Sequence, residues 1–178
     1  MGGATVTGTR TGSARGRIAV AAAALILAGV FASNFAALGQ DGGLPPPKDT
    51  IFARKILMGA IDMNMDEIET MLAPGGKVEV ADAVEHADTI SIMLMSFPHL
   101  FPAATNQWKP NVDKDPGTDT FAAPEVWTQY ADFYKRSTEA SKLAFDASRA
   151  TEEADFRAAV KKLRAACDAC HAVYMRTN

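Results

Sequence analysis

The pentapeptide Cys167-Asp168-Ala169-Cys170-His171 holds both cysteines of the chain and one of its three histidines. Two thiols three residues apart, followed directly by an imidazole, form the C-x-x-C-H pattern of covalent haem attachment. The thiols bond the porphyrin vinyl groups and the adjacent ring reaches the iron. On a helix turning about 100° per residue, Cys167 lies about 40° and Cys170 about 100° from His171, so all three project to one side. Phe156, Val160, Leu163 and Tyr174 share that side. Other chemistries explain less of the pattern. A thioredoxin-type redox pair needs a βαβ setting, which the sequence does not offer. A structural zinc site needs a fourth strong ligand, which His86 or His99 would have to supply. A plain disulfide leaves His171 without a role.

The elements that must position this motif follow a leader. Residues 1–17 carry Arg10, Arg15 and Arg17 and no acid, and Ile18 to Ala32 is an unbroken run of 15 apolar or small residues. That is the charged and hydrophobic pair of regions of an export signal. A membrane span needs roughly 20 apolar residues, and Ser33 and Asn34 interrupt this run. Small residues Ala37 and Gly39 place a cut before Gln40, and Val30 and Ala32 offer another before Ser33. An uncleaved anchor is the alternative, and either outcome puts the rest of the chain outside the cytoplasm. Residues 1–39 therefore read as an export signal, 40–48 as an extended leader with Pro45, Pro46 and Pro47, and 49–178 as one domain.

The 139 residues after the cut are enough for one core. Of 18 basic and 21 acidic residues in the chain, 15 and 21 remain there, a net charge of −6. The balance carries no nucleic-acid footprint, and two cysteines exclude a disulfide scaffold. Hydrophobic spacing predicts four helices. The first starts at Asp49 or Thr50 and runs to about Leu72, where Pro74-Gly75-Gly76 stops it. The second covers about Val78 to Phe97 and closes at Pro98. An irregular stretch from Pro98 to Ala123 is long enough to be a crossover. The third begins with Pro124 in its first turn and continues to about Ser148. The fourth starts after Thr151 and runs to the C-terminus. The expected fold is an all-α, up-down-up-down four-helix bundle.

A bundle with C-x-x-C-H near its C-terminus resembles the cytochrome c′ family. The likeness rests on Arg54 to Met58 in helix one, Leu100-Phe101-Pro102 after helix two, Pro124-Glu125-Val126-Trp127 opening helix three, and Cys167 to Tyr174 in helix four. It implies one haem c, bound by Cys167 and Cys170 through thioethers, with His171 on the iron. The family divides on the sixth iron position, where low-spin members place methionine, and the corresponding residue here is Met58. The resemblance also implies that Arg54 meets a haem propionate. In one respect the chain departs from the family: Met175 follows Tyr174 where an arginine or lysine is usual.

Helix arithmetic agrees with Met58. It lies roughly 13 Å from Asp49 along helix one, and His171 roughly 10 Å from the chain end along an antiparallel helix four. Met65 shares the face of Met58 but sits roughly 10 Å deeper. Met63 points away. His86 and His99 read as surface or loop residues, and Trp108 and Trp127 as packing. Arg157, Lys161 and Arg164 line the flank of helix four, as a solvated face or as a dock for an acidic redox partner.

These readings converge on a periplasmic monohaem electron carrier with His/Met ligation, not an enzyme, that meets redox partner proteins and no nucleic acid. The family often dimerises through its first two helices, so a homodimer is in view, and membrane contact is expected only if the signal is uncleaved. The alternative is a high-spin haem protein that binds nitric oxide or carbon monoxide at an open sixth position.

Overall fold

In the computed structural model, Gly2 and residues 44–115 and 119–177 are described. The export signal expected over 1–39 lies outside them. The chain divides into two units at Leu44/Pro45, and the second, Pro45–Asn178, carries the bundle. Its four long helices are α1 (Pro47–Leu72), α2 (Val80–Ser96), α3 (Tyr130–Ser148) and α4 (Glu153–Tyr174). The expected four-helix architecture is thus present, with helix ends that differ in instructive ways. Among the described residues no helix is long and apolar enough to cross a membrane.

Helix α1 starts two residues earlier than expected. Pro47 stands at its first position and Pro46 precedes it with φ −50° and ψ 137°. Proline suits the first turn because the N–H it lacks has no intrahelical acceptor there. The Asp49 N–H bonds the Pro46 carbonyl at 2.9 Å. At the other end Ala73 is extended, as a residue before proline prefers. Gly75 then takes φ +84°, and a Cβ on Gly76 would lie 2.5 Å from the Thr70 and Met71 carbonyl oxygens. Only glycine fits that close approach.

Helices α2 and α3 form the tightest pair because small residues face each other. Ala83 and Ala87 of α2 and Ala140, Ala144 and Ala147 of α3 are all buried. Between them the Ser137 hydroxyl donates to the Leu94 carbonyl and that of Ser141 to the Ser91 carbonyl, both at 2.8 Å. Those buried hydroxyls are satisfied at no cost to the helix ladders.

The third helix is not continuous from Pro124. A single turn, Glu125–Thr128, is followed by a break at Gln129 with φ −124° and ψ 37°, and α3 begins at Tyr130. Long-range anchors hold the bend: the Trp127 indole N–H donates to the Phe101 carbonyl at 3.1 Å, and the Tyr130 hydroxyl to that of Pro98 at 3.0 Å. Nor does the fourth helix reach the C-terminus. Met175 is extended and pairs antiparallel with Ala122. Ala123 N–H bonds the Tyr174 carbonyl at 2.9 Å and Arg176 N–H that of Phe121 at 2.8 Å. The backbone of the crossover thus takes over from the helix ladder and fixes the end of α4.

Candidate haem site

Two apolar clusters make the core. One gathers Ile61, Met65, Ile90, Phe156 and Leu163 with Met58 and Cys167 at its edge. The other gathers Phe101, Val126, Phe133 and Tyr174 with Cys170 at its edge. Between them is a cavity of about 630 Å³. Native cores leave few voids larger than a water molecule, whereas cofactor sites occupy roughly 300–1,000 Å³. The gap is a site.

Its walls come from helix faces with the expected periods. α1 contributes Arg54, Met58, Ile61 and Met65; α4 contributes Arg164, Cys167, His171 and Tyr174 with Cys170 beside them. α3 adds Phe133, Arg136, Ser137 and Ala140, and the crossover adds Thr120, Phe121 and Ala122. Exposed Gly59, Asp62 and Met175 mark where the cavity meets solvent. Cys167, Cys170, His171, Met58 and Arg54, singled out from the sequence, therefore share one cavity. Both cysteines are free thiols. Burial pushes Cys170 up to about 11 and raises Cys167 as well.

The cavity lies between α1 and α4, which are tied at the opposite end of the bundle. There the Arg157 guanidinium donates to the Leu72 carbonyl at 2.8 Å, and Arg164 pairs with Glu69 at 2.5 Å. The order of these contacts along the two chains shows that the helices run antiparallel. Fourteen residues back from Leu72 along α1 is Met58; fourteen forward from Arg157 along α4 is His171. Seven residues along α1 from Met58 is Met65, and Arg164 reaches past it to Glu69. Met65 is 1% exposed and also lines the cavity, deeper than Met58. Met63 is exposed.

Arg54 is neither solvated nor ion-paired. It is 4% exposed and donates to both oxygens of Thr105, at 2.9 and 3.2 Å, and to the Thr120 hydroxyl at 2.6 Å. Its guanidinium carbon lies 4.6 Å from the Phe101 ring centre and 5.6 Å from that of Trp127. Burial lowers its pKa to about 10. Among the described residues no carboxylate balances this buried cation, an arrangement that proteins seldom leave uncompensated.

The side of the cavity next to His171 carries a network that the sequence reading passed over. The Tyr174 hydroxyl donates to Asp132 Oδ2 at 2.6 Å, and Arg136 Nε donates to the same oxygen at 2.7 Å. These hydrogen bonds, Tyr174 first and Arg136 second, hold the Asp132 carboxyl below the ordinary range. Burial and then the Asp132 bond raise the Tyr174 phenol to about 12. The Asp132/Arg136 spacing of four on a helix was the available signal.

The remaining sequence candidates lie elsewhere. His86 Nδ1 is 2.8 Å from the Asn64 side-chain oxygen, and His99 packs edge-on against Tyr134; neither lines the cavity. Among the described residues no three His, Cys, Asp or Glu side chains converge as a metal cage. Trp127 packs and also anchors the crossover. Arg157 and Arg164 are tied to α1, so that flank is not a row of free cations.

Comparison with known proteins gives a consistent result. The family model for Cytochrome C′ matches residues 49–175. Cytochrome c-556 of Agrobacterium tumefaciens (strain II Chrys) is 33% identical over 111 residues, covering 58% of this chain and 78% of that protein. The cytochrome c prime structure from Shewanella frigidimarina superposes with a TM-score of 0.63 at 23% identity, over 75% of this chain and 99% of that one. Cytochrome c′ from Thermochromatium tepidum gives 0.64 at 21% identity, over 74% and 97%. At that identity the structural likeness speaks to the fold.

Proposed function

The chain belongs to the cytochrome c′ family, the monohaem c-type cytochromes, and from that premise we propose an electron carrier ligated by His171 and Met58. The observation that supports this reading is that Met58 from α1 and His171 from α4 line one cavity together with both cysteines. Cys167 and Cys170 would hold the porphyrin covalently from the α4 wall. His171 would give the iron a ring nitrogen and Met58 a thioether sulfur. Arg54 offers its unbalanced positive charge to a propionate, which supplies the missing anion. The apolar walls from Phe101, Val126 and Phe133 exclude water. Bound there, the haem supplies a one-electron iron couple whose potential a methionine ligand raises. With both residues as ligands, the chemistry the haem would supply is electron transfer.

Residues 1–39 direct the chain to the periplasm, where residues 40–48 lead into the bundle. N-terminal sequencing of the exported protein is expected to begin at Gln40. A membrane-bound product that keeps Ile18 to Ala32 would replace this with an anchored form. The partners are redox proteins and a second copy of the chain. For the latter, α1 leaves Phe52, Ile56 and Met63 exposed and α2 leaves Ile92 and Met95 exposed.

The deciding experiment is the optical spectrum of the purified protein in both oxidation states, with and without carbon monoxide. Low-spin spectra indifferent to carbon monoxide are expected. A high-spin spectrum that shifts on adding the gas would favour a gas-binding haem protein instead.

A further inference from the structure

Besides Arg54, two arginines line the cavity, one near each cysteine. Arg164, three residues before Cys167, is held toward α1 by Glu69. Arg136 comes from α3 and reaches the α4 backbone beside Cys170, with Nη1 3.5 Å from the Ala169 carbonyl. The end of α4 supplies no cation of its own: Met175 follows Tyr174, and Arg176 is tied to Glu125 at 2.5 Å. Arg136 is fixed by Asp132, and Asp132 is fixed in turn by the hydroxyl of Tyr174, one turn after His171. Among the described residues the His171 ring has no hydrogen-bond partner. Metal-bound histidines usually donate their second ring N–H to a carboxylate or carbonyl, which makes the ligand more basic and electron-rich. Here Asp132 already accepts from both Arg136 and Tyr174 through one oxygen.

We propose that Arg136 is a positioning residue that keeps the reduction potential of this site high. It lines the cavity as a cation that reaches the α4 backbone beside Cys170, and it ties up the Asp132 carboxylate. Reduction adds one negative charge to the site, and a nearby cation favours that state. An Asp132 carboxylate left without its arginine would disfavour it. Both effects have the same sign. The side chains of Arg136 and Asp132 are 37% and 46% exposed, so solvent and salt screen the influence and it weakens at high ionic strength.

The inference rests on His171 as the iron ligand, and the two are tested separately. His171→Gly must change the optical spectrum of the holoprotein; an unchanged spectrum overturns the ligand assignment. The Arg136 role is read by spectroelectrochemical titration of holoprotein variants whose spectra match the wild type. Arg136→Met is expected to lower the potential and Arg136→Lys to restore most of it. Asp132→Asn is expected to raise it, because Arg136 then stands uncompensated. The double variant Arg136→Met/Asp132→Asn should return toward the wild-type value, as removing a neutral pair requires. An unchanged or raised potential in Arg136→Met overturns the proposal, as does an equal fall in Arg136→Lys. Should Arg136→Met fail to fold, Asp132→Asn decides alone: a potential that stays or falls overturns it.

Discussion

Met58 and His171 stand equally far from a single cross-helix contact. Each is fourteen residues from the Arg157–Leu72 hydrogen bond, about 21 Å along its own helix at 1.5 Å per residue. The two helices are joined at that contact, and residues of both line the cavity further along. Met58 and His171 share that cavity with Met65, which is the more deeply buried of the two methionines.

The first prediction concerns attachment. Cys167 and Cys170 pack against different apolar clusters that both line the cavity, and on the proposed reading each would carry one thioether. Cys167→Ala or Cys170→Ala should weaken covalent haem retention, and the double change should abolish it. The chain without haem should be poorly folded, because an apolar void of this size would cost, on the scale of core cavities, on the order of a domain's whole stability. Intact mass of protein from cells competent in cytochrome maturation checks it. A wild-type mass without haem would remove the basis of the assignment.

Arg54 gives the second. Its donors hold Thr105 and Thr120 from opposite ends of the crossover, a segment with little regular structure of its own. Arg54→Met would strip buried acceptors of their partners, at about 1–3 kcal/mol. Arg54→Lys keeps the charge but cannot fork to both threonines. Faster proteolysis within residues 101–123 is expected for both variants, and more so for methionine. Equal cleavage rates in all three proteins would show that the clamp does not restrain the crossover.

How much of this was legible in the sequence depends on the range of the interaction. The C-x-x-C-H motif and the stripes that line the cavity from α1 and α4 are local patterns, and they were readable as such. The surroundings of Arg54 were not, since its partners are 46 to 66 residues away and meet only when the crossover folds back. The same holds for the break at Gln129. Nothing beside it in sequence forbids helix, and Trp127 bends the chain by reaching carbonyls 25 and 26 residues distant. Arg136 and Asp132 were recognisable as a helix pair, but their place beside His171 depends on how α3 is rotated against α4.

A third prediction follows from the acid side of the Tyr174–Asp132–Arg136 network. The folded pKa of Asp132 is lowered, first by the Tyr174 bond and then by Arg136. A depressed carboxylate stabilises the fold above its unfolded pKa of about 3.9 and loses that contribution as pH falls through the folded value. Glu125, lowered by Arg176, has the same sign. The stability difference between wild type and Asp132→Asn should therefore be constant near neutrality and shrink below about pH 4. Denaturant midpoints of the two holoproteins between pH 7 and pH 3 measure it. A difference that grows on acidification would contradict the assigned sign.

The exposed stripe on α1 supplies the fourth. Phe52, Ile56 and Met63 recur at helical spacing on the side away from the cavity, and contiguous apolar surface of this kind marks an interaction face. Phe52→Asp with Ile56→Glu should yield a monomer in sedimentation analysis with an unaltered haem spectrum. A wild-type protein that is already monomeric at high concentration would end the dimer reading.

The sharpest prediction is the exchange of Met58 for leucine. The two side chains have nearly equal volume, so packing alone should cost less than about 1.5 kcal/mol. Coordination, by contrast, is lost outright, because leucine has no donor atom. The variant should become five-coordinate and high-spin, bind carbon monoxide and nitric oxide, and shift to a lower potential. Met65→Leu is the control: it lines the same cavity but stands seven residues further along α1, and should leave the spectrum alone. A Met58→Leu protein that stays low-spin while Met65→Leu becomes high-spin would transfer the ligand role to Met65. A wild type that is high-spin from the outset would mean that Met58 only fills space beside an open iron position, and gas binding would then be the better account of the site.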